Sequence, residues 1–525
     1  MLSFRHLEPA GGTLSTQRAK GDAMRTTWLA VVVAVALAGE CAVGQDVEIP
    51  KGPCGTKPPA QQQRRKGGEG VPPLPLPATP LRRTERKRPP SPPVLIAKIA
   101  YGAPKEITVA DQAVKYLDWD KDPGDVQVLV GLANQALNLN YTTRKGTMKE
   151  FAPDPAQYPI YHFSGSDDFK LTDAEIDRLR DFIRAGGTLW GDTVYGDPDF
   201  FKAFIREMGK VFPDRHFYQV PLDHPLLNCY YQIKKVTYTR DPPDAPNGEP
   251  MLFAMDVGCR AAVVLSRYGL CCGWDGHRRA KAFNVDVEDA RKIGINMIAY
   301  ALGTHGVGIY QATAKNYYEE DARARGDFIF AQARVGENWD SQANNIANLL
   351  KAVATKTSTE IKFERKIVDL ASPDVLGYPF LYVTGHQDFK LSNAEVQGLK
   401  TYLAGGGFIL ASPCCGRREF DTAFRREIAR VTSAPLQPLA ENHPVYNIMY
   451  KLKSVSYSPY AEAQQESLPK LPIEGVTVGG STSVVYCPIG LGGGWRGFDH
   501  PYGRDIATDD ATKLGVNVVM YSLTH

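Results

Sequence analysis

Beyond its N-terminal region the chain has no apolar run of the roughly 20 residues that a bilayer-crossing helix needs, so no later segment is expected to span a membrane. It has no Cys-x-x-Cys among its nine cysteines. Structural zinc modules are usually announced by such closely spaced ligands, so neither a metal site nor any cofactor is expected. A Walker A phosphate loop, a His-Glu-x-x-His metal motif and a Gly-x-Ser-x-Gly elbow are all absent. Charge of one sign is also scarce: the formal net charge is +3 over 525 residues. That excludes the broad basic face of a nucleic-acid binder.

The charge that exists is unevenly placed. Between Lys51 and Pro93 stand ten basic residues and two acidic ones, set among prolines. Pro-rich chain favours extended polyproline II, so residues 45–92 are read as a linker. Before it, Arg25 precedes the uncharged stretch Trp28–Ala38, and Ala42-Val43-Gly44 offers small residues for cleavage ahead of Gln45. This is the layout of a secretory signal peptide, with Met24 the better start, and it places the mature protein in the periplasm or outside the cell, membrane-associated if the signal is not cleaved. Residues 1–44 are assigned to it. In an oxidising compartment thiols pair, and Cys414 or Cys415 could join Cys487.

What the chain has in abundance is repetition. Displaced by 220 residues, Trp119-Asp120 falls on Trp339-Asp340, Tyr158-Pro159 on Tyr378-Pro379, and Asp168-Phe169-Lys170-Leu171 on Asp388-Phe389-Lys390-Leu391. After a one-residue slip, His224-Pro225 meets His443-Pro444; further on, Trp274 meets Trp495 and Gly294 meets Gly515. A fixed offset held over so many positions means a duplicated domain, at 93–305 and 327–525. In each copy apolar strand runs alternate with helical spacing: Phe328–Val335 and Pro379–Thr384 read as strands, Gln342–Ala354 as a helix. Thr172-Asp173-Ala174-Glu175 and Ser392-Asn393-Ala394-Glu395 carry the capping-box pattern of a helix start. Strand, helix, strand with continuous apolar strands predicts an α/β fold, a mainly parallel sheet with helices on both faces.

In such sheets ligands bind beyond the carboxyl ends of the strands. That rule selects Ser164 and Asp168 in the first copy, and Thr384, His386 and Asp388 in the second. His224 and His443 recur before proline. Each is either a base near neutral pH or a turn residue whose ring bonds nearby backbone. Asp168 and Asp388 either meet a ligand or favour the positive end of the following helix. Cys415 stands where a strand turns into a helix. A thiol there has a lowered pKa and can be a nucleophile, with His443 as its base. Gly492-Gly493-Gly494-Trp495-Arg496-Gly497 matches a dinucleotide fingerprint on paper, but no helix start follows, and it is read as a tight Gly-Trp loop.

The run Tyr378–His386 with Phe389, Ala394-Glu395, Gly406-Gly407, Phe420-Asp421 and His443-Pro444 resembles the bacterial family known as domain of unknown function 4159. The resemblance covers nearly all of the second copy and, more loosely, the first. It implies a flavodoxin-like sheet related to the class I glutamine amidotransferase-like fold. Such amidotransferases carry Gly-x-Cys-x-Gly and a later His-x-Glu; here Cys415 sits in Pro-Cys-Cys-Gly and no His-x-Glu follows it. Function resides in sites rather than folds. The expectation is therefore a non-enzymatic, exported envelope protein that binds a ligand or another envelope protein. The alternatives are a Cys-dependent hydrolase or amidotransferase using the second domain, and a purely structural tandem.

Overall fold

The computed structural model describes residues 91–109, 111–313, 328–359, 361–464 and 466–525. The signal segment, nearly all of the linker and the charged stretch between the copies lie outside the described residues.

The first copy supplies β1 (Val94–Ala100), β2 (Lys105–Val109), β3 (Gln112–Tyr116), β4 (Thr142–Thr147), β5 (Ile160–Gly165), β6 (Thr188–Thr193), β7 (Tyr218–Gln219), β8 (Leu252–Val257) and β9 (Arg260–Ser266). Its seven-stranded sheet runs β4-β1-β5-β6-β9-β8-β7. The second copy supplies β10 (Phe328–Ala333), β11 (Ile361–Val368), β12 (Phe380–Val383), β13 (Phe408–Ala411), β14 (Gln437–Pro438), β15 (Glu474–Val478) and β16 (Ser481–Tyr486), in the same order, β11-β10-β12-β13-β16-β15-β14. Four neighbouring pairs in each sheet are parallel, and the last two are antiparallel. The chain is thus two tandem α/β domains with mainly parallel sheets. Strand order reverses beside β1 and β10, the crevice position at which open α/β sheets admit ligands.

Helices cover both faces because alternate strand residues point to opposite sides. In the first domain Ile96, Ile160 and Val264 pack with the helices Asp125–Ala136 and Val287–Thr313. Ala97, Tyr161 and Val263 pack with Asp173–Arg184 and Pro198–Val211 on the other side. The second domain repeats the arrangement. Both capping boxes form: the Glu175 and Glu395 backbone N–H groups donate to Thr172 Oγ1 and Ser392 Oγ, at 3.4 and 3.2 Å. Each glutamate accepts in return from the cap backbone, at 2.9 and 2.7 Å.

The recurring Trp and Gly form one packing unit. Trp274 is fully buried and its Nε1–H donates to Ala290 O at 2.9 Å; Trp495 does the same to Ala511 O at 3.0 Å. A Cβ on Gly294 would lie 2.5 Å from Leu129 Cδ1 and 2.7 Å from Trp274 Nε1. Gly294→Ala therefore overpacks a filled site and is expected to cost about 1–3 kcal/mol, read as a lowered denaturant midpoint. The β2–β3 hairpin has no counterpart among the described residues of the second domain. It folds over the first sheet's edge, where Lys105 Nζ meets Asp167 Oδ2 at 2.6 Å and Tyr116 OH donates to the same oxygen at 3.1 Å.

Candidate functional site

The left-handed turn after β13 starts the site. Apolar β13 ends at Ala411, and the chain must reverse sharply to begin the helix Arg418–Thr432. Cys415 takes φ 54° and Gly416 φ 63°. The first domain makes the same bend with Tyr195 at φ 64° and Gly196 at φ 72°. This backbone is costly for a residue with a Cβ, so its presence in both domains belongs to the fold. Only in the second domain does it carry a thiol.

The second ingredient comes from the other domain. The tip of the β8–β9 hairpin, Asp256 to Arg260, lodges against the carboxyl edge of the second sheet. Gly258 at φ +65° allows the tight turn. Cys259 Sγ sits 3.3 Å from Cys414 Sγ and 3.0 Å from Ser341 O, and Cys414 Sγ is 3.6 Å from Cys415 Sγ. His386 Nδ1 is 2.8 Å from Asp256 Oδ2. The backbone oxygen of Cys259 accepts from His500 Nε2 at 3.0 Å. Three sulfurs and a His386 ring nitrogen all lie within 4.8 Å of one another, and all four residues are buried. Asp256 is 2% exposed. Burial alone would raise its carboxyl; the hydrogen bond to His386 and the charges of His386 and Arg417 override it and hold the group at about 2. Contacts from Cys414 and Cys415 pull the Cys259 thiol well below its ordinary range, while burial pushes Cys414 up and the bond to Cys259 pushes Cys415 up.

The other residues selected from sequence are dispersed. His443 is not brought to Cys415: its Nδ1 accepts from Val445 N–H at 3.2 Å and its Nε2 is bonded to Thr482 Oγ1 at 3.1 Å. His224 likewise accepts from Leu226 N–H at 3.0 Å, with Nε2 2.7 Å from Arg417 Nη2. Both histidines cap the short turns that follow them. Asp168 and Asp388 are exposed partners of Arg206 and Arg426, each at 2.9 Å. Ser164 Oγ donates to Trp119 O at 3.0 Å, and Thr384 is buried. A surface pair of this kind contributes about 0–1 kcal/mol, so Asp388→Ala is expected to leave the unfolding midpoint within that margin; a larger loss would assign Asp388 more than a surface role. The expected disulfide to Cys487 is not formed. No disulfide joins the described cysteines, and Cys487 is buried in the apolar core of the second domain, against residues such as Val485 and Ile489. Spacing rules miss Cys259 because its partners lie 155 residues away and in another domain. One signal is present in the sequence: at all four cluster positions the repeats differ, with Gly480, Ser166, Val194 and Tyr195 standing opposite.

Space around the cluster is uneven. Cys415 lines a cavity of about 50 Å³ beside Arg417, Tyr460 and Arg504. A cavity of about 340 Å³ lies on the far side of His386, lined by Tyr218, Asp256, Asp388 and Arg417. A third, about 820 Å³, is a cleft where the domains meet, lined by Arg184, Arg215, Arg260, Gln311, Asp340 and Asn344.

Among known proteins, the family model described as Domain of unknown function (DUF4159) matches residues 96–302 and again 329–523. No curated protein matches the chain.

Proposed function

Because the chain belongs to the DUF4159 family, whose description assigns no activity, we propose from its geometry that it is a non-enzymatic binding or scaffold protein of the bacterial envelope. One observation carries this reading: the edge of the second sheet, where a nucleophile and its substrate would meet, is occupied by the β8–β9 hairpin of the first domain. Cys415 is 6% exposed, and its cavity of about 50 Å³ is too small for a substrate. A pocket for a small molecule needs about 300 Å³ or more. The interdomain cleft, at about 820 Å³, has that size and presents arginine and amide groups. Export is part of the proposal and rests on the sequence of residues 1–44. Among the described residues no helix is long and apolar enough to cross a membrane.

A second reading has its own support. The strained turn at Cys415 has the form of a nucleophile elbow, as a kinship with the class I glutamine amidotransferase-like fold would give. Near it stand His386 and Asp256, an imidazole oriented by a carboxylate, which is the arrangement a cysteine nucleophile uses. In this reading His386, not His443, is the base.

Two experiments separate the readings. The protein recovered from outside the cytoplasm is expected to begin at Gln45 by N-terminal mass analysis; retention of residues 24–44 in a cytoplasmic protein contradicts export. Incubation of the native full chain with a diazo-ketone analogue of glutamine is expected to leave Cys415 unlabelled. Stoichiometric labelling of Cys415 would establish the hydrolase reading instead.

A further inference from the structure

We propose that Cys259, His386, Cys414 and Cys415 form a closed binding site for one thiophilic divalent cation of the zinc class, built by both domains together. The proposal is independent of whether the interdomain cleft binds a ligand.

The donor set comes first. Zinc in structural sites takes four protein ligands, and three cysteines with one histidine is among its regular sets. Thiolates select against magnesium and calcium, which prefer oxygen. Distance comes second. Zinc–sulfur bonds of about 2.3 Å at tetrahedral angles put ligand atoms about 3.8 Å apart. The two sulfur–sulfur distances of 3.3 and 3.6 Å and the 4.8 Å limit for the whole set bracket that value. Small shifts of four side chains complete the site.

The histidine is prepared as a ligand should be. With Nδ1 bonded to Asp256, the ring's remaining nitrogen is Nε2, which is buried with no hydrogen-bond partner. A carboxylate that fixes the tautomer and turns the free nitrogen to the ion is the usual companion of a metal-bound histidine. The charge balance adds an independent sign. Arg496 is buried, its Nε and Nη1 have no partner, and its Nη2 lies 3.9 Å from Cys259 Sγ. A buried guanidinium calls for a nearby anion. Three thiolates and a neutral imidazole around a divalent cation carry one net negative charge, and Arg496, which also interacts with buried Asp505, stands beside it.

All four protein ligands would be used, leaving no open position for a substrate, so the ion is structural. It would pin the β8–β9 hairpin of the first domain, through Cys259, to the second domain's His386 and paired cysteines. The pairing of a cysteine found only in the first repeat with residues found only in the second explains why the two domains diverged at these four positions.

The test is metal analysis of the full chain purified with reductant and without chelator. About one zinc per chain is expected, and titration of the metal-free chain with cobalt should produce the intense visible bands of a tetrahedral thiolate site. Cys259→Ser and, separately, His386→Ala are expected to lower zinc content at least tenfold after dialysis. The cobalt spectrum of the unaltered chain stands even if a variant fails to fold. The proposal is overturned by a reduced chain that takes up neither metal, by zinc content undiminished in both variants, or by a metal-free chain isolated with a Cys259–Cys414 disulfide.

Discussion

Asp256→Ala is expected to destabilise the metal-free protein by about 3–5 kcal/mol, because it removes one partner of a buried ionic pair and leaves the other behind. Asp256 stands at the end of β8 in the first domain, yet its Oδ2 faces His386 of the second at 2.8 Å. Its Oδ1 accepts from Tyr218 OH at 2.8 Å. Both side chains of the pair are 2% exposed. The substitution strands a buried imidazole N–H, which costs about 1–3 kcal/mol unpaired, and deprives the half-buried Tyr218 hydroxyl of its acceptor. Chemical denaturation followed by tryptophan fluorescence measures the effect. A loss below about 1 kcal/mol, the size of an exposed pair, would mean that the hairpin is not docked in solution.

Trp495→Ala is expected to be of the same size or larger. Deleting a buried tryptophan costs about 3–5 kcal/mol in lost burial and cavity formation. Here the indole also serves Ala511 O, at 3.0 Å, and removing it leaves that carbonyl without the side-chain donor. The ring fills the space that Gly515 leaves open: a Cβ at that position would lie only 2.8 Å from Trp495 Nε1. Because Trp274 and Gly294 repeat the unit, the matching substitution in the first domain should cost a similar amount. If Trp495→Ala unfolded at the wild-type denaturant midpoint, the packing unit would be misplaced.

These two residues mark what can be read in the sequence and what cannot. Trp495, Gly515 and their counterparts are visible because each satisfies a constraint internal to one domain, and duplication prints that constraint twice. The capping boxes at Thr172 and Ser392 are visible for the same reason: a few consecutive residues hold the whole interaction. The β2–β3 hairpin is not, since it has no counterpart among the described residues of the second copy and offers nothing to align. The antiparallel strands β8 and β15 are hidden too, because apolar strand runs look alike whichever way they pair.

The candidate site is legible only in part. His386 and Cys415 stand out by their place at the strand ends, and the structure puts them in one cluster. Cys259 and Asp256 do not, because no local pattern joins a hairpin tip in one domain to a loop in the other. His443 draws notice as a base for its recurrence, but recurrence here reports a turn: its ring, like that of His224, caps the backbone two residues on. Repeats reveal what the fold requires of both copies. A function built between copies lies at the positions where they disagree.

The central claim is that the first domain closes the edge of the second and buries the three sulfurs together. Alkylation of the native full chain under reducing conditions, with each cysteine read by peptide mass spectrometry, tests it most directly. The account predicts that Cys259, Cys414 and Cys415 stay protected as a group while half-buried Cys229 reacts first among the described cysteines. Rapid modification of Cys415 at the rate of an exposed thiol, with the protein still folded, would contradict it.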